Sequence, residues 1–384
     1  MGRNIVVCCD GTNNQFGVCN TNVVRLLQIA VQETAEQIAY YDPGVGTLPE
    51  HGLITRWGKA VSRGMKQAFA TDIEDKVGTA YAHLMEVWEP GDQIFLFGFS
   101  RGAYTVRVLA GLLHALGLLP AGNTHLLPYV MKIFGSLRED KKDFWSLCDN
   151  FRWSFARPIP GHEDRRFPVH FVGVWDTVSS VGWVWDPATY PFTHANQSIE
   201  IIRHAVSLDE RRWFFRQNLI GAEAGQDAAE HWFAGVHSDV GGGYPEIDSG
   251  FWRVTFAWML TAAKNAGLLV DDVRLETVLT RTAAPDEPWK EPLHESLKGW
   301  WWLGEIFPKL VYDFAAKKRR PAFGLGRHRF VHDGALLDRS LLERLRGDGY
   351  FPPNLAESFI AAIKKLPAVP DSIAYASSDR SAIP

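Results

Sequence analysis

The sequence has no run of about 18 or more apolar residues, the length that a membrane-spanning helix needs. It has only 4 cysteines, and two of them, Cys8 and Cys9, are adjacent. That spacing predicts neither a disulfide framework nor a metal site. The formal net charge is -4 at pH 7, so the basic excess that would neutralise nucleic-acid phosphates is missing. These absences favour a globular protein with no nucleic-acid partner.

The first residues also lack the features of a secretory leader. Arg3 is followed at once by a short apolar segment, without the longer apolar stretch and small-residue cleavage site of a signal peptide. Val6 occupies the position where a myristoylation signal has serine or threonine. We therefore expect a protein that is made in the cytoplasm without a signal peptide.

Short apolar segments alternate with amphipathic helical patterns through the first half of the chain, which predicts parallel strands joined by helices. We expect one α/β domain over residues 1–384. Residues 121–166 have no clean strand pattern and predict a helical insertion, and residues 245–384 are mostly helical in pattern. We expect the helical insertions to form a lid or cap over the sheet, and residues 245–384 to be a lid or a membrane-facing surface. Residues 198–206 are also predicted as a helix, before a strand at 229–236.

A serine lies where a predicted strand meets a predicted helix. The segment GFSRG has Ser100 at its centre and matches G-x-S-x-G, with an apolar segment directly before it. Such a serine occupies a tight, strained turn, and Gly98 and Gly102 leave room for the crowded backbone. The pattern predicts the nucleophile elbow of an α/β-hydrolase-like fold, with a mostly parallel central sheet flanked by helices. The alternative is a turn serine that caps the following helix.

Two stretches are candidates for binding an oxyanion. Arg101 opens the helix after the serine, at the positive end of the helix dipole. The second donor is expected from Gly11 and Thr12 in the loop after the first strand, because glycine permits close backbone approach. The alternative for this loop is an ordinary turn organised by Asp10. Asp10 is also a candidate partner for Arg101.

The proton-transfer partners are expected on loops after later strands, with the acid before the histidine along the chain. Asp176 directly follows the apolar segment HFVGVW, and His237 directly follows HWFAGV. We predict that His237 accepts the proton of Ser100 and that Asp176 orients the imidazole. Asp239 is predicted to shape the glycine-rich loop after His237.

Several residues compete for these roles. Asp176 could instead be a turn aspartate bonded to the amides of Thr177 and Val178, and His237 a histidine satisfied by the backbone of a glycine-rich loop. The alternative bases are His204, His294 and His332, and the alternative acids are Asp186, Asp209 and Asp239. A metal centre on His237, Asp239 and Asp10 or Asp176 is less specific, because no H-x-x-x-H pair or paired-carboxylate helix is present. We expect no metal and no cofactor.

Six segments together carry a resemblance to a known family. They are VVCCDGTNN, GFSRGAY, FVGVWDTVSSVG, GVHSDVGGGY, HESLKGWWWLGE and YFPPNL. The sequence resembles the catalytic domain of the type VI secretion phospholipase effectors, an α/β-hydrolase family of bacteria and fungi. The resemblance implies a triad of Ser100, Asp176 and His237 that hydrolyses an acyl ester of a glycerophospholipid. It also implies a secretion-system or immunity protein as partner, and export into a target cell.

The sequence contains 15 tryptophans, and three of them are consecutive at 300–302. Aromatic rings beside cations favour peripheral contact with an anionic membrane, and the alternative is a tryptophan-rich lid packed on the core. The cations that follow these rings are Lys309, Lys317, Lys318, Arg319 and Arg320. Three functions remain open: a lipase-like phospholipid hydrolase, a soluble esterase or thioesterase, and a non-catalytic relative that binds a membrane or a partner.

Overall fold

The computed structural model describes most of the chain. The described residues are 2–11, 17, 19–32, 34–44, 64–137, 143–178, 182–183, 186–187, 190–245, 249–280, 287–299, 301–305, 309–313, 318–347 and 349–377. Thr12, Lys317 and Trp300, which the sequence singled out, lie outside them.

Within these ranges, strands and helices alternate along the first half of the chain. The strands are β1 (Asn4–Cys9), β2 (Gln37–Asp42), β3 (Gln93–Phe99), β4 (Val169–Trp175), β5 (Gly182–Trp183), β6 (Asp186–Pro187), β7 (Ile199–Ser207), β8 (Asp227–Phe233), β9 (Lys309–Asp313), β10 (Lys318–Ala322), β11 (Leu336–Asp338) and β12 (Ser372–Ala374). The helices are α1 (Asn22–Ile29), α2 (Gly64–Val87), α3 (Arg101–Leu116), α4 (Leu127–Ser136), α5 (Phe144–Phe155), α6 (His237–Gly241), α7 (Trp252–Asn265), α8 (Asp272–Thr280), α9 (Trp301–Glu305), α10 (Arg339–Arg346) and α11 (Glu357–Ile363).

Eight of these strands form one sheet in the order β12-β11-β8-β7-β4-β3-β1-β2. Every neighbouring pair in this sheet is parallel except β11 with β12. Two small antiparallel pairs, β5 with β6 and β9 with β10, lie outside it. The predicted fold class is confirmed: a mostly parallel α/β sheet flanked by helices, of the α/β-hydrolase-like type.

Both faces of the sheet are buried at β1, β3 and β4, which explains why these strands are nearly continuous apolar segments. In β1, Ile5 and Val7 pack into the core that contains α2 and α3. Val6 and Cys8 pack into the opposite core, which contains α1 and α7. Because successive side chains of a strand point to opposite faces, one short segment contributes to both cores.

The predicted helix at 198–206 is wrong, because this segment is strand β7. It pairs in parallel with β4 on one side and with β8 on the other. Its polar side chains, which made the pattern look helical, have partners on the neighbouring strand. Arg203 donates to Asp227 at 2.8 Å, and the His204 ring lies 2.8 Å from Glu230.

The two segments predicted as helical contain the following elements. Residues 121–166 hold α4 and α5, preceded by a 3-10 turn at Thr124–Leu126. The part after residue 245 holds α7 to α11 together with strands β9 to β12. Two of these strands, β11 and β12, extend the central sheet, which the sequence pattern did not predict. In the part of the chain that the structure describes, no helix has the length and apolar character needed to cross a bilayer.

The parallel strands bring several loops to one edge of the sheet, because their carboxyl ends lie together. Ser100 follows β3, and the turn that carries it depends on two glycines. A Cβ on Gly102 would lie 2.1 Å from the carbonyl oxygen of Cys9, and a Cβ on Gly98 would lie 2.6 Å from Cα of Ala103. The absent side chains therefore allow α3 to start directly against the end of β1.

We expect Gly102→Ala to destabilise the protein by about 1–3 kcal/mol, because the added methyl group overlaps the β1 backbone. Gly78→Ala in α2 is the matched control. Its Cβ would meet no atom within 4 Å, so we expect a gain of about 0.5–1 kcal/mol from the better helix propensity of alanine. Urea unfolding midpoints measure both changes. Equal midpoints for the two variants would contradict the close approach of α3 to β1.

Candidate active site

Three side chains from separate loops meet at the carboxyl edge of the sheet. Oγ of Ser100 lies 2.8 Å from Nε2 of His237, and Nδ1 of the same ring lies 2.5 Å from Oδ2 of Asp176. All three residues are buried, with exposed fractions of 6%, 4% and 0% respectively. A hydroxyl, an imidazole and a carboxylate in this series allow a proton to pass from the hydroxyl to the ring while the carboxylate stabilises the imidazolium.

The backbone at both ends of this series has an unusual conformation. Ser100 has φ 60° and ψ -123°, and Asp176 has φ 38°. Neither is glycine, so surrounding contacts must hold these strained conformations. The Ser100 amide donates to the carbonyl of Trp175 at 3.1 Å, and the amide of Val178 donates to the Ser100 carbonyl at 3.4 Å. The serine turn and the aspartate loop are therefore fastened to each other on both sides.

Asp176 accepts hydrogen bonds from more than the imidazole. Arg329 approaches both carboxylate oxygens, at 2.5 Å and 3.0 Å, and the amide of Ser207 donates at 2.9 Å. Arg329 also donates to the carbonyl and hydroxyl oxygens of Ser207, at 2.9 Å and 2.8 Å. Burial would raise the pKa of Asp176, but the Arg329 guanidinium and the His237 hydrogen bond hold it well below its usual range. Asp176 is therefore a carboxylate at any neutral or mildly acidic pH.

His237 lies between two aromatic rings and above a second carboxylate. The centroids of Phe99 and Phe215 are 4.5 Å and 4.8 Å from its own. Its amide donates to Glu210 at 3.2 Å. Burial lowers the pKa of His237 more than Asp176 raises it. The ring is therefore neutral at pH 7, the protonation state that a general base requires.

Glu210 organises the loop beneath the histidine. Its carboxylate accepts from Arg212 at 2.9 Å and from the hydroxyl of Ser296 at 2.8 Å. Burial would raise the pKa of Glu210, but the hydrogen bond and charge of Arg212 lower it overall. Neither Glu210 nor Arg329 was predicted from the sequence. Neither belongs to a local motif, because each reaches the site only through long-range folding.

Of the predicted oxyanion donors, the structure describes Arg101 and Gly11. Arg101 is the first residue of α3, directly after Ser100. The Gly11 amide donates to Oδ1 of Asp10 at 2.6 Å. Asp10 also accepts from Thr21 at 2.7 Å and from Tyr41 at 3.1 Å. Asp10 thus organises the loop after β1, and Gly11 could bind an oxyanion only by sharing the hydrogen that it now gives to Asp10.

The alternative bases are engaged elsewhere or exposed. Besides its contact with Glu230, His204 accepts from the amide of Thr177 at 3.1 Å, directly behind the aspartate loop. The ring of His294 lies 2.6 Å from Asp239. His332 is exposed on the surface.

The alternative acids also have structural partners. Asp239 accepts from the amides of Val236 and His294, at 3.0 Å and 3.1 Å. Its loop-shaping role stays a prediction. Asp209 accepts from the amide of Gly235 at 2.6 Å and from Tyr350 at 2.7 Å. Asp186 lies in β6. Among the described residues, no three histidine, cysteine or acidic side chains are grouped as a metal site.

The sequence profile of one family matches the region that contains this site. It is the catalytic domain of the T6SS phospholipase effectors, Tle1-like, and it matches residues 3–262. The chain belongs to this family. The resemblance carried by the sequence motifs is therefore confirmed. The span matched to the Tle1-like domain contains Ser100, Asp176 and His237, whereas Arg329 lies beyond its end.

Three further proteins are similar to this Tle1-like chain. An uncharacterized protein of Saccharomyces cerevisiae is 35% identical over 227 residues, which are 56% of this chain and 32% of the yeast protein. The crystal structure of an uncharacterized protein from Pseudomonas aeruginosa is 18% identical, with a TM-score of 0.45, over 75% of this chain and 49% of that one. The Tle1 effector bound to the VgrG spike of the type 6 secretion system is 18% identical, with a TM-score of 0.38, over 63% and 52%. The chain thus spans about a third of the yeast protein and about half of each solved chain.

Arg329 should act as a positioning residue whose removal shifts the pH dependence of ester hydrolysis. In Arg329→Gln the negative charge of Asp176 is no longer shared with a guanidinium. It therefore stabilises the protonated His237 ring more strongly, and the pKa of His237 should rise. The acidic limb of the kcat/KM profile should then move to higher pH, with a loss on the order of tenfold at mildly acidic pH. The profile is measured on a soluble ester.

The matched control is Arg329→Lys, which keeps a cation beside Asp176 but not the two-pronged contact. We expect its acidic limb to stay near that of the wild type. A residue that only stabilised the fold would reduce the amount of active enzyme without moving the limb. Identical limbs for both variants and the wild type would therefore contradict the positioning role.

Proposed function

We propose that this chain is a serine hydrolase that cleaves carboxylic esters, with acyl esters of glycerophospholipids as substrates, as a phospholipase of the A type. The observation that carries the proposal is the unbroken hydrogen-bond series from Ser100 through His237 to Asp176. Membership of a phospholipase effector family supports the same chemistry. We propose that Ser100, His237 and Asp176 carry out the reaction together with the residues that position them.

The first half of the reaction forms an acyl-enzyme. Oγ of Ser100 attacks the ester carbonyl carbon while its proton moves to Nε2 of His237. The negative charge on the carbonyl oxygen is stabilised by the Arg101 amide at the positive end of α3, and a second donor from the Gly11–Thr12 loop completes the proposed oxyanion site. His237 then gives its proton to the departing alcohol oxygen, which in a phospholipid belongs to the lysophospholipid.

The second half returns the enzyme to its starting state. A water molecule gives one proton to His237 as its oxygen attacks the acyl carbon. The intermediate collapses, the bond to Ser100 breaks, and the proton passes back from His237 to Oγ of Ser100. The products are a free fatty acid and the regenerated hydroxyl. The protein side chains supply every proton transfer in this cycle, so no cofactor is invoked.

The proposal extends to partners and location. One solved relative is a Tle1 effector bound to a VgrG spike. For this chain we propose export by a type VI system into a target cell, with a spike protein as the export partner and an immunity protein as a further one. We also propose that residues 1–384 act as a single catalytic domain. In that domain residues 121–166 are a helical insertion, and residues 245–384 form the lid or membrane-facing part.

Removing either end of the proton path should abolish turnover. We expect Ser100→Ala and His237→Ala to lower kcat by about 10³-fold or more, with Asp176→Asn somewhat milder. His332→Ala removes an exposed histidine and is the matched control, for which we expect near-normal turnover. Fluorophosphonate labelling that is lost in Ser100→Ala checks the nucleophile. Wild-type protein that resists labelling would favour a non-catalytic binding protein instead.

Product analysis separates a phospholipase from a soluble esterase. After incubation with mixed phospholipid vesicles, we expect mass spectrometry to detect free fatty acid and lysophospholipid. Turnover should also rise steeply once the substrate aggregates, because the bilayer presents the acyl ester at high local density. Equal turnover on dispersed short-chain esters or thioesters, with no lysophospholipid, would overturn the lipid assignment and leave the hydrolase mechanism in place.

A further inference from the structure

Large apolar side chains are exposed close to the proposed catalytic histidine. We define the arginine-aromatic face as Trp301, Trp302, Phe323, Leu325 and Phe330 with the guanidiniums of Arg216 and Arg327. The five apolar residues are 43%, 47%, 46%, 57% and 78% exposed, and both arginines are exposed. Soluble proteins rarely expose several large apolar side chains together, and such groups mark interaction sites.

The face is joined to the active site through aromatic contacts. Phe215, which packs on the ring of His237, also packs edge-on against Trp301 with centroids 5.6 Å apart. The Arg212 guanidinium lies 3.7 Å from the Phe215 centroid and 4.9 Å from that of Trp301. Only the Phe215 side chain therefore lies between Trp301 and the ring of His237.

A buried carboxylate holds the segments of the face together. Glu305, at the end of α9, is 1% exposed. Its Oε1 accepts from the amide of Trp213 at 2.6 Å, and its Oε2 accepts from the amide of Gly326 at 2.9 Å. The loop that carries Leu325 is thus fastened to α9, which carries the two tryptophans. Hydrogen bonds within the folded chain therefore hold the segments of the face in place.

The cations of the face are carried by the two segments that Glu305 joins, since Arg216 follows Trp213 and Arg327 follows Gly326. Arg216 stacks on the Trp213 ring at 3.9 Å. Burial, and then the positive charge of Arg327, lower the pKa of Arg216. Among the described residues, neither Arg216 nor Arg327 forms an ion pair with a carboxylate. Two neighbouring guanidiniums without a carboxylate form a local positive site, which is complementary to a phosphate group.

We propose that the arginine-aromatic face docks on the surface of a bilayer that contains anionic phospholipid. The tryptophan rings lie at headgroup depth, where amphipathic rings are favoured. The phenylalanine and leucine side chains insert beside them. Arg216 and Arg327 contact the lipid phosphates, and their attraction adds to the apolar contribution. Docking in this orientation brings the Phe215 side of His237 toward the lipid. This orientation rests on the proposed function, but the docking itself requires no hydrolysis.

These cations differ from those that the sequence singled out. The side chains of Lys309, Lys318, Arg319 and Arg320 lie outside the described part of the chain. Arg216 lies more than 80 residues before the tryptophans in the sequence, and only the fold brings it near Arg327, beside them.

Vesicle binding in the Ser100→Ala background tests the proposal without consuming the lipid. The probes are phosphatidylcholine vesicles with and without phosphatidylglycerol, and the readout is co-sedimentation. We expect Leu325→Ser/Phe330→Ser to lower the partition coefficient about tenfold or more on both vesicle types. Trp153→Ser is the matched control, since this tryptophan is 63% exposed on α5. We expect no change for it.

The charge contribution has its own variants. We expect Arg216→Gln/Arg327→Gln to lose about tenfold in partition on the anionic vesicles and little on the neutral ones. Arg339→Gln, an arginine with a 59% exposed side chain on α10, should change neither. Added salt should weaken wild-type binding toward the level of the arginine variant. Circular dichroism verifies that each variant is folded.

Three outcomes would overturn the docking face. The first is equal vesicle binding by the wild type and the face variants, and the second is an equal loss in the Trp153→Ser control. The third is a loss of self-association in the face variants with vesicle binding intact, which would make this face an interface between copies. If the Ser100-intact protein still hydrolyses phospholipid vesicles in any of these cases, the proposed function stands. If vesicle binding follows the predictions but hydrolysis is absent, the function fails and the docking face stands.

Discussion

The arrangement of the site depends on one buried carboxylate, Asp176, that is shared by a guanidinium and an imidazole. Asp176 is wholly buried, and in that position an unpaired charge would be strongly unfavourable. Arg329 and the Ser207 amide supply the compensation, which leaves one oxygen oriented toward His237. Its other ring nitrogen then lies 2.8 Å from Oγ of Ser100. Truncating Arg329 would leave the Asp176 charge buried without its guanidinium partner.

This carboxylate also links parts of the chain that are remote in sequence. Ser100, Asp176 and His237 lie within residues 3–262, which match the family profile. Arg329 lies after that span, and β11 and β12 add two strands to the same sheet. The segment after residue 262 is therefore integral to the fold that carries the proposed catalytic residues. A description limited to the matched span would omit the main electrostatic partner of Asp176.

The elements that could be predicted from the sequence are those that local chemistry determines. Ser100 could be predicted because a G-x-S-x-G turn has a steric cause within five residues. The close approach of Gly102 to the Cys9 carbonyl shows that cause. Asp176 and His237 each follow an apolar strand, and parallel strands end at one edge. The fold class followed from the same alternation of strands and helices, although the catalytic roles remain a proposal.

The parts that could not be predicted depend on partners far away along the chain. Strand β7 looked helical because its charged residues have no local explanation, yet Arg203 and His204 are paired with residues of β8. Arg329 was passed over in the segment RFVHDG in favour of His332, since nothing local indicates that a guanidinium is buried. Glu210 was missed for the same reason.

The position of β7 has a consequence for how the sequence can vary. It lies between β4, which ends one residue before Asp176, and β8, which precedes His237, and its last residue, Ser207, contacts Asp176. Its register therefore decides whether the Ser207 amide meets the Asp176 carboxylate. A one-residue slip of β7 would turn its buried side chains to the other face and remove Ser207 from the carboxylate. Insertions and deletions should be tolerated in the connecting loops, while the length of this strand is fixed by the geometry on either side.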